Sequence, residues 1–493
     1  MVHRLSKSRF QLGLQCGKLL WLDSHRRELA DPITELQQHI FDTGTAVGAL
    51  ARERFAGGVL VAEDHLHSAE ALESTRLLMA EPPAAIFEAA FVHAGVLVRP
   101  DVLVSLGDGS WDLYEVKSST KVKPENLSDV AVQVWVLEGA GLKIRRANLV
   151  HLDNTYVYQG GEYDLCRLFS AEAVTADVRA WQPAIPDLVS EMLAMLEGPE
   201  PRRRIGKHCD NPYTCAFYGY CHASLPERPI TELPRVSDEL IAALLGEGIT
   251  CIDDIPPLFP GLTAAQRTVC ETVRRGTPEY GAGLARSLGR LEHPVHFLDF
   301  ETFMSALPLY PGTRSWQQVP FEWSDDVLAA DGSLEHREFL FQGEGDPRPA
   351  FAETLLDALG EEGSIVAYHA SFEDMVLREL SDGLPEHSEA IERVRARLFD
   401  LEKPVKDYVQ HPELRGRTSI KVVLPALVDT LRYDDLAIHE GGTASLRYLR
   451  CAQGAITGEE RAQVLADLRA YCGTDTMAMV KLYRVLREAS AAS

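Results

Sequence analysis

The stretch HFLDFETF sets Asp299 and Glu301 two residues apart in an otherwise apolar run. Read as a strand, that spacing places both side chains on one face. Taking two neighbouring carboxylates out of water costs on the order of several kcal/mol each unless a cation compensates them. A divalent metal is the simplest compensation, so the fold has to bring further oxygen ligands to this strand. Two downstream segments can supply them. AYHASFEDMVL carries Glu373 and Asp374 just after a strand-like run, and YCGTD carries Tyr471 and Asp475, four apart and therefore on one face of the last amphipathic helix.

A second carboxylate set lies in the first half. VRPDVLV places Asp101 within an expected strand, and DLYEVKSS places Glu115 and Lys117 on one face of the next. Glu88 falls on the strand before them and Gln133 on the helix after them, LSDVAVQVWVLEGAGL. Two carboxylates beside an ammonium can hold Mg²⁺ through oxygen while the lysine positions water or offsets charge on a phosphate.

The nine cysteines include five that are scattered singly, which is not a secreted disulfide framework. Cys209, Cys215 and Cys221, in KHCDNPYTCAFYGYC, are spaced like ligands, each separated from the next by five residues. A tetrahedral thiolate site needs a fourth.

At 493 residues the chain exceeds what one core organises, and two or three domains are expected. Residues 1–225 read as a helical start followed by strands, a helix and a strand, hence α/β with a mixed sheet. Residues 226–290 read as a helical linker bounded by prolines, in which LLGEGITCIDDI resembles a helix-hairpin-helix turn. Residues 291–493 form a third, α/β region. The net charge of −24 argues against general polyanion binding, although KSSTKVK, KIRR and PRRRIGKH each adjoin a motif. No leader-like segment and no long apolar run is found, so a cytoplasmic location without membrane association is expected.

The order FEAAF, LVRPDVLV, YEVKSS, VQVWV resembles the PD-(D/E)xK nucleases of the RecB type. The resemblance implies a metal site of Asp101, Glu115 and Lys117, with Glu88 as a further ligand and Gln133 touching substrate. Leu137 stands where that family has a tyrosine. A subset of the family closes its nuclease domain with an iron-sulfur cluster held by one early and three late cysteines, which here implies Cys16, Cys209, Cys215 and Cys221 around [4Fe-4S]. Four thiolates also suit Zn²⁺. The C-terminal region resembles the DEDD exonucleases of ribonuclease H-like fold. That implies Asp299, Glu301, Glu373 and Asp475 around two Mg²⁺ or Mn²⁺ ions, with Tyr471 orienting water and 3′-5′ trimming as the activity. His369 replaces the usual asparagine, and Asp374 or Asp400 is an alternative to Glu373. The expectation is an α/β nuclease acting on DNA or RNA: a RecB-like PD-(D/E)xK domain, a helical linker and a ribonuclease H-like domain. The alternative is a non-catalytic nucleic-acid-binding or assembly protein with a structural cluster.

Overall fold

The computed structural model describes residues 5–64, 66–428, 437–438 and 440–492. The chain is mixed α/β and divides into two units, 1–224 with 305–317, and 225–304 with 318–493. The division near 225 matches the first expected boundary. The segment 226–290 belongs to the second unit, and 305–317 belongs to the first.

The first unit opens with helices α1 (Lys7–Gln15), α2 (Gly17–His25) and α3 (Glu35–Arg52). Thr34 caps α3 in a reciprocal box with Gln37, which satisfies two end amides that α3 itself cannot. A six-stranded sheet follows in chain order: β1 (Gly58–Leu60), β2 (Ala85–Phe87), β3 (Val102–Ser105), β4 (Ser110–Lys117), β5 (Lys143–Leu152) and β6 (Phe169–Ala173). The β1–β2 and β4–β5 pairs are parallel and the others antiparallel. The crossover from β4 to β5 is helix α4 (Pro124–Gly139), whose Val130, Val134 and Leu137 pack into the same core as Leu113 and Leu149.

The second unit begins with residues that carry their own small core around Leu244, Ile252 and Val273. After the Gly248 turn only a single 3₁₀ turn, Ile252–Asp254, stands where a hairpin motif would start its second helix. The five-stranded sheet comprises β7 (Val295–Phe303), β8 (Val319–Leu328), β9 (Leu334–Leu340), β10 (Ser364–Ala367) and β11 (Leu398–Asp400) in the order β9-β8-β7-β10-β11. The first three strands run antiparallel, while β10 and β11 are parallel to β7 and to each other. Helices α5 (Arg348–Leu359) and α6 (Ser371–Gly383) lie between β9 and β11 in the chain, and α7 (Gly458–Ala492) closes it.

Alternation along β7 decides which face carries chemistry. Leu298 and Phe300 pack with Phe351 and Leu355 of α5, whereas Phe297 packs with Met479 and Tyr483 of α7. Asp299 and Glu301 follow Phe297 at steps of two and so point to the α7 side. Among the described residues no helix is long and apolar enough to cross a membrane.

Gly363, just before β10, has φ +83°, and a Cβ there would collide with the carbonyl oxygen of Pro294. Because both the left-handed backbone and the space exclude a side chain, Gly363→Ala is expected to lower the unfolding free energy by ~2–4 kcal/mol in a denaturant titration.

Candidate metal centres

In the second unit, the carboxylates of Asp299, Glu301 and Asp475 offer oxygens that all lie within 4.8 Å of one another. Strand β7 supplies the first two and α7 the third, so the set depends on the packing of Phe297 against Tyr483, whose rings are 5.5 Å apart. The β7–β8 register shifts just after Glu301, an irregularity of the kind that re-aims a side chain. Burial, then the charge of Asp475, then those of the other acids, push Asp299 and Glu301 well above the ordinary carboxylate range.

Of the three candidates for the second motif, Glu373 is the buried one. It is 3% exposed, one of its oxygens has no hydrogen-bond partner, and burial pushes it up to about 8. Its charge acts on both Asp299 and Glu301. Asp374, its neighbour in the first turn of α6, is held by Arg395 at 2.8 and 3.1 Å. Asp400 accepts from the backbone of His369 and Glu402 at 3.1 and 3.0 Å.

Tyr471 is buried on α7, and its hydroxyl is pushed up by burial and by Asp475, Glu301 and Asp299. The sequence reading missed three groups here. Glu322 on β8 lies directly opposite Glu301, is 1% exposed, and is pushed up to about 8 by burial and Glu338. Lys421 stands 5.9 Å from the Tyr471 ring centre and its charge bears on Glu301. The buried Cys472 thiol is 3.7 Å from Asp299 Oδ2.

In the first unit, Glu115 and Lys117 share a face of β4 as expected. Asp101 stands just before β3 rather than within it, because Pro100 has no N–H to give a ladder. From there Asp101 Oδ2 accepts from the backbone N–H of Val116 at 2.6 Å. Glu88 follows β2 in a left-handed turn, φ +55°, and Arg99 lies 3.8 Å from its carboxylate. Gln133 is fully buried and donates to Glu115 Oε2 at 2.9 Å, so in this arrangement it orients that carboxylate.

Two further groups complete the cluster. Lys7, at the start of α1, donates to Glu115 Oε1 at 2.6 Å, and Lys117 donates to the same oxygen at 2.8 Å and to Asp129 Oδ2 at 2.5 Å. Asp129 and Gln133 are four apart on α4, a helix-face signal present in the sequence; the Lys7 contact has no local signal. Acidic groups still outnumber ammoniums, and Asp101 is pushed up to about 7 by burial and Glu115. Asp129 Oδ1 and Gln133 Oε1 are buried without a partner, so the donor set fits a hard divalent ion.

The four cysteines named above line one small cavity of about 20 Å³, together with Leu19, Leu22 and Phe217. Cys16 is the extended residue between α1 and α2. The backbone of Phe217 donates to Cys215 Sγ at 3.4 Å. Burial raises the thiols of Cys209 and Cys221 and takes Cys215 up to about 11, while Lys18 pulls Cys221 down. Four thiols lining one cavity, with the Lys18 ammonium acting on one of them, are a donor set of the kind that suits Zn²⁺ or an iron-sulfur group.

Residues 296–419 match a family model described as a domain of unknown function (DUF2779). The match includes Asp299, Glu301 and Glu373 and stops before α7. An "Uncharacterized protein MG366 homolog" of Mycoplasma pneumoniae is 26% identical over 40% of this chain and 33% of its own length. "Uncharacterized protein UU173" of Ureaplasma parvum serovar 3 is 26% identical over 39% of this chain and 31% of its own. The chain therefore spans about a third of the length of these curated relatives. A solved structure titled "Crystal structure of SSO0001" is 14% identical, with a TM-score of 0.23, over 46% of this chain and 89% of that one.

A carboxylate raised in the folded state binds a proton that the unfolded chain releases, so stability is full below the unfolded value and falls as pH rises towards the folded one. With Glu322 and Glu373 at about 8 and Asp101 at about 7, the metal-free protein is expected to lose thermal stability between pH 5 and 8. Mn²⁺ should restore it, most strongly at the upper end of that window. A melting temperature that rises from pH 5 to 8 in chelator contradicts this assignment.

Proposed function

We propose that the protein is a metal-dependent nuclease that hydrolyses phosphodiester bonds of DNA or RNA, with a RecB-like site in the first unit and a DEDD-exonuclease-like site in the second. The observation that carries the reading is the convergence of Asp299, Glu301 and Asp475 within 4.8 Å, with Glu373 and Tyr471 beside them. A mixed sheet with the acid pair on its central strand supports the ribonuclease H-like assignment of this unit.

Divalent ions held by these acids would polarise the scissile phosphate and lower the pKa of bound water. The chain's own groups then have separate roles. The carboxylates fix the ions, the Tyr471 hydroxyl orients the attacking water, and Lys421 offsets charge near Glu301. At the first site Asp101, Glu115 and Glu88 are the oxygen ligands, Gln133 and Asp129 hold Glu115 and Lys117 in place, and Lys117 faces charge developing on the phosphate. The four cysteines hold [4Fe-4S], a reading supported by their shared cavity and by the backbone N–H of Phe217 that donates to Cys215 Sγ.

The test uses end-labelled single- and double-stranded DNA and RNA with Mg²⁺ or Mn²⁺. Asp299→Asn is expected to reduce trimming from an end by about 10²-fold or more, and Lys117→Ala to reduce the remaining cleavage comparably. Cleavage at the original rate with both substitutions present removes the nuclease reading in favour of a binding protein. For the cysteines, protein prepared without oxygen should carry about four irons per chain, lost in Cys16→Ala and kept in Cys451→Ala. Stoichiometric zinc without iron overturns the cluster and leaves the nuclease sites standing.

A further inference from the structure

The loop between Cys209 and Cys215 reaches from the thiol cavity to the first acid–lysine cluster. Tyr213 in that loop is 58% exposed, unusual for so large a ring, and it lines a cleft of about 1160 Å³ together with Lys117 and Asp129. Phe41, on α3 and also 58% exposed, lines the same cleft. The walls are basic for a chain of this net charge: Lys7, Arg9, Arg27, Arg99 and Lys117 face it, against Asp23, Glu125 and Asp129.

The loop is held at both ends. Cys209 and Cys215 line the thiol cavity, and the Cys215 N–H donates to Cys209 O at 2.8 Å. Gln15, the last residue of α1 and the neighbour of Cys16, donates to His208 O and to Tyr213 O, both at 2.8 Å. The same helix begins with Lys7 on Glu115. The position of Tyr213 relative to Lys117 is therefore set by the segment that also presents the thiols.

We propose that Tyr213 is a substrate-positioning residue of the first site, a platform on which a nucleic-acid base stacks, and that the group bound by the four cysteines holds it there. This rests on the nuclease reading above. An exposed ring beside basic side chains is how sequence-tolerant strand binding is built, and one stacked base is worth ~1–3 kcal/mol. Tyr213 lies in the thiol-bounded loop and not on α4, where Leu137 faces the core. Release of the bound group frees the loop, and the ring leaves the cleft without any change to Asp101, Glu115 or Lys117.

The test measures anisotropy of a fluorescein-labelled oligothymidylate of ~20 nucleotides with Ca²⁺ replacing Mg²⁺, on the full chain with its metal content assayed. Tyr213→Ala is expected to weaken binding by ~10-fold with metal content unchanged, and Tyr213→Phe to retain it, since the ring face and not the hydroxyl stacks. Gln15→Ala, which keeps every cysteine, should weaken binding in the same direction. Cys215→Ser should weaken it as much as Tyr213→Ala does, and adding Tyr213→Ala to Cys215→Ser should produce little further loss. Unchanged affinity in Tyr213→Ala, while the original protein binds and cuts, overturns this inference alone. A full additional loss in the double variant overturns the dependence on the thiol-bound group. Absence of binding by the original protein to this oligonucleotide and to an oligouridylate of the same length overturns this inference, while the cleavage assay above decides the nuclease reading separately.

Discussion

Buried negative charge that the protein only partly neutralises is the constraint on which both units turn. In the second unit, Asp299, Glu301, Glu322, Glu373 and Asp475 act on one another through a medium less polarisable than water. Their repulsion is held down by apolar packing two residues earlier on the same strand, where Phe297 meets Met479 and Tyr483. A folded domain has only a small margin of net stability, so several raised carboxylates in one place are a standing cost. Protons offset that cost at low pH, and a cation can offset it above neutrality.

The first unit meets the same difficulty with a different device. Lys7 and Lys117 both donate to Glu115 Oε1, and Lys117 is fixed in turn by Asp129. Glu115 is consequently held below the ordinary carboxylate range, against its own burial, while Asp101 beside it is raised. Opposite shifts in two adjacent carboxylates are a mark of groups with separate duties, one to stay charged and one to exchange its proton for another partner.

What could be read from the chain was whatever local spacing encodes. The two-residue step places Asp299 with Glu301 and Glu115 with Lys117, and the four-residue step places Tyr471 with Asp475; all three pairs share a face in the structure. Asp101, expected within a strand, stands at its lip instead, next to Pro100, which has no N–H to give a ladder. Lys7 and Glu322 were invisible for a different reason. Lys7 meets Glu115 across 108 residues of chain, and Glu322 meets Glu301 only through the register of β7 on β8. Neither separation leaves a periodic trace. The division of the chain was legible near 225, but the assignment of 305–317 to the first unit was not, since a loop between two strands of one sheet carries no signal of where it packs.

The two devices imply different routes by which a divalent ion could enter. In the second unit the oxygens already converge, and what must leave is a proton. In the first unit an ammonium already occupies Glu115 Oε1, so a cation has to compete with a lysine. The two lysines are not equally fixed. Lys117 is anchored by Asp129 at 2.5 Å as well as by Glu115, whereas the second carboxylate near Lys7, again Asp129, is 3.9 Å away. Both lysines line the open cleft, but the Lys7 side chain can swing away from Glu115 while α1 stays in place, with Ser6 capping its first turn and Gln15 tied to the thiol loop. Of the two ammoniums, Lys7 is therefore the one whose departure costs fewer contacts.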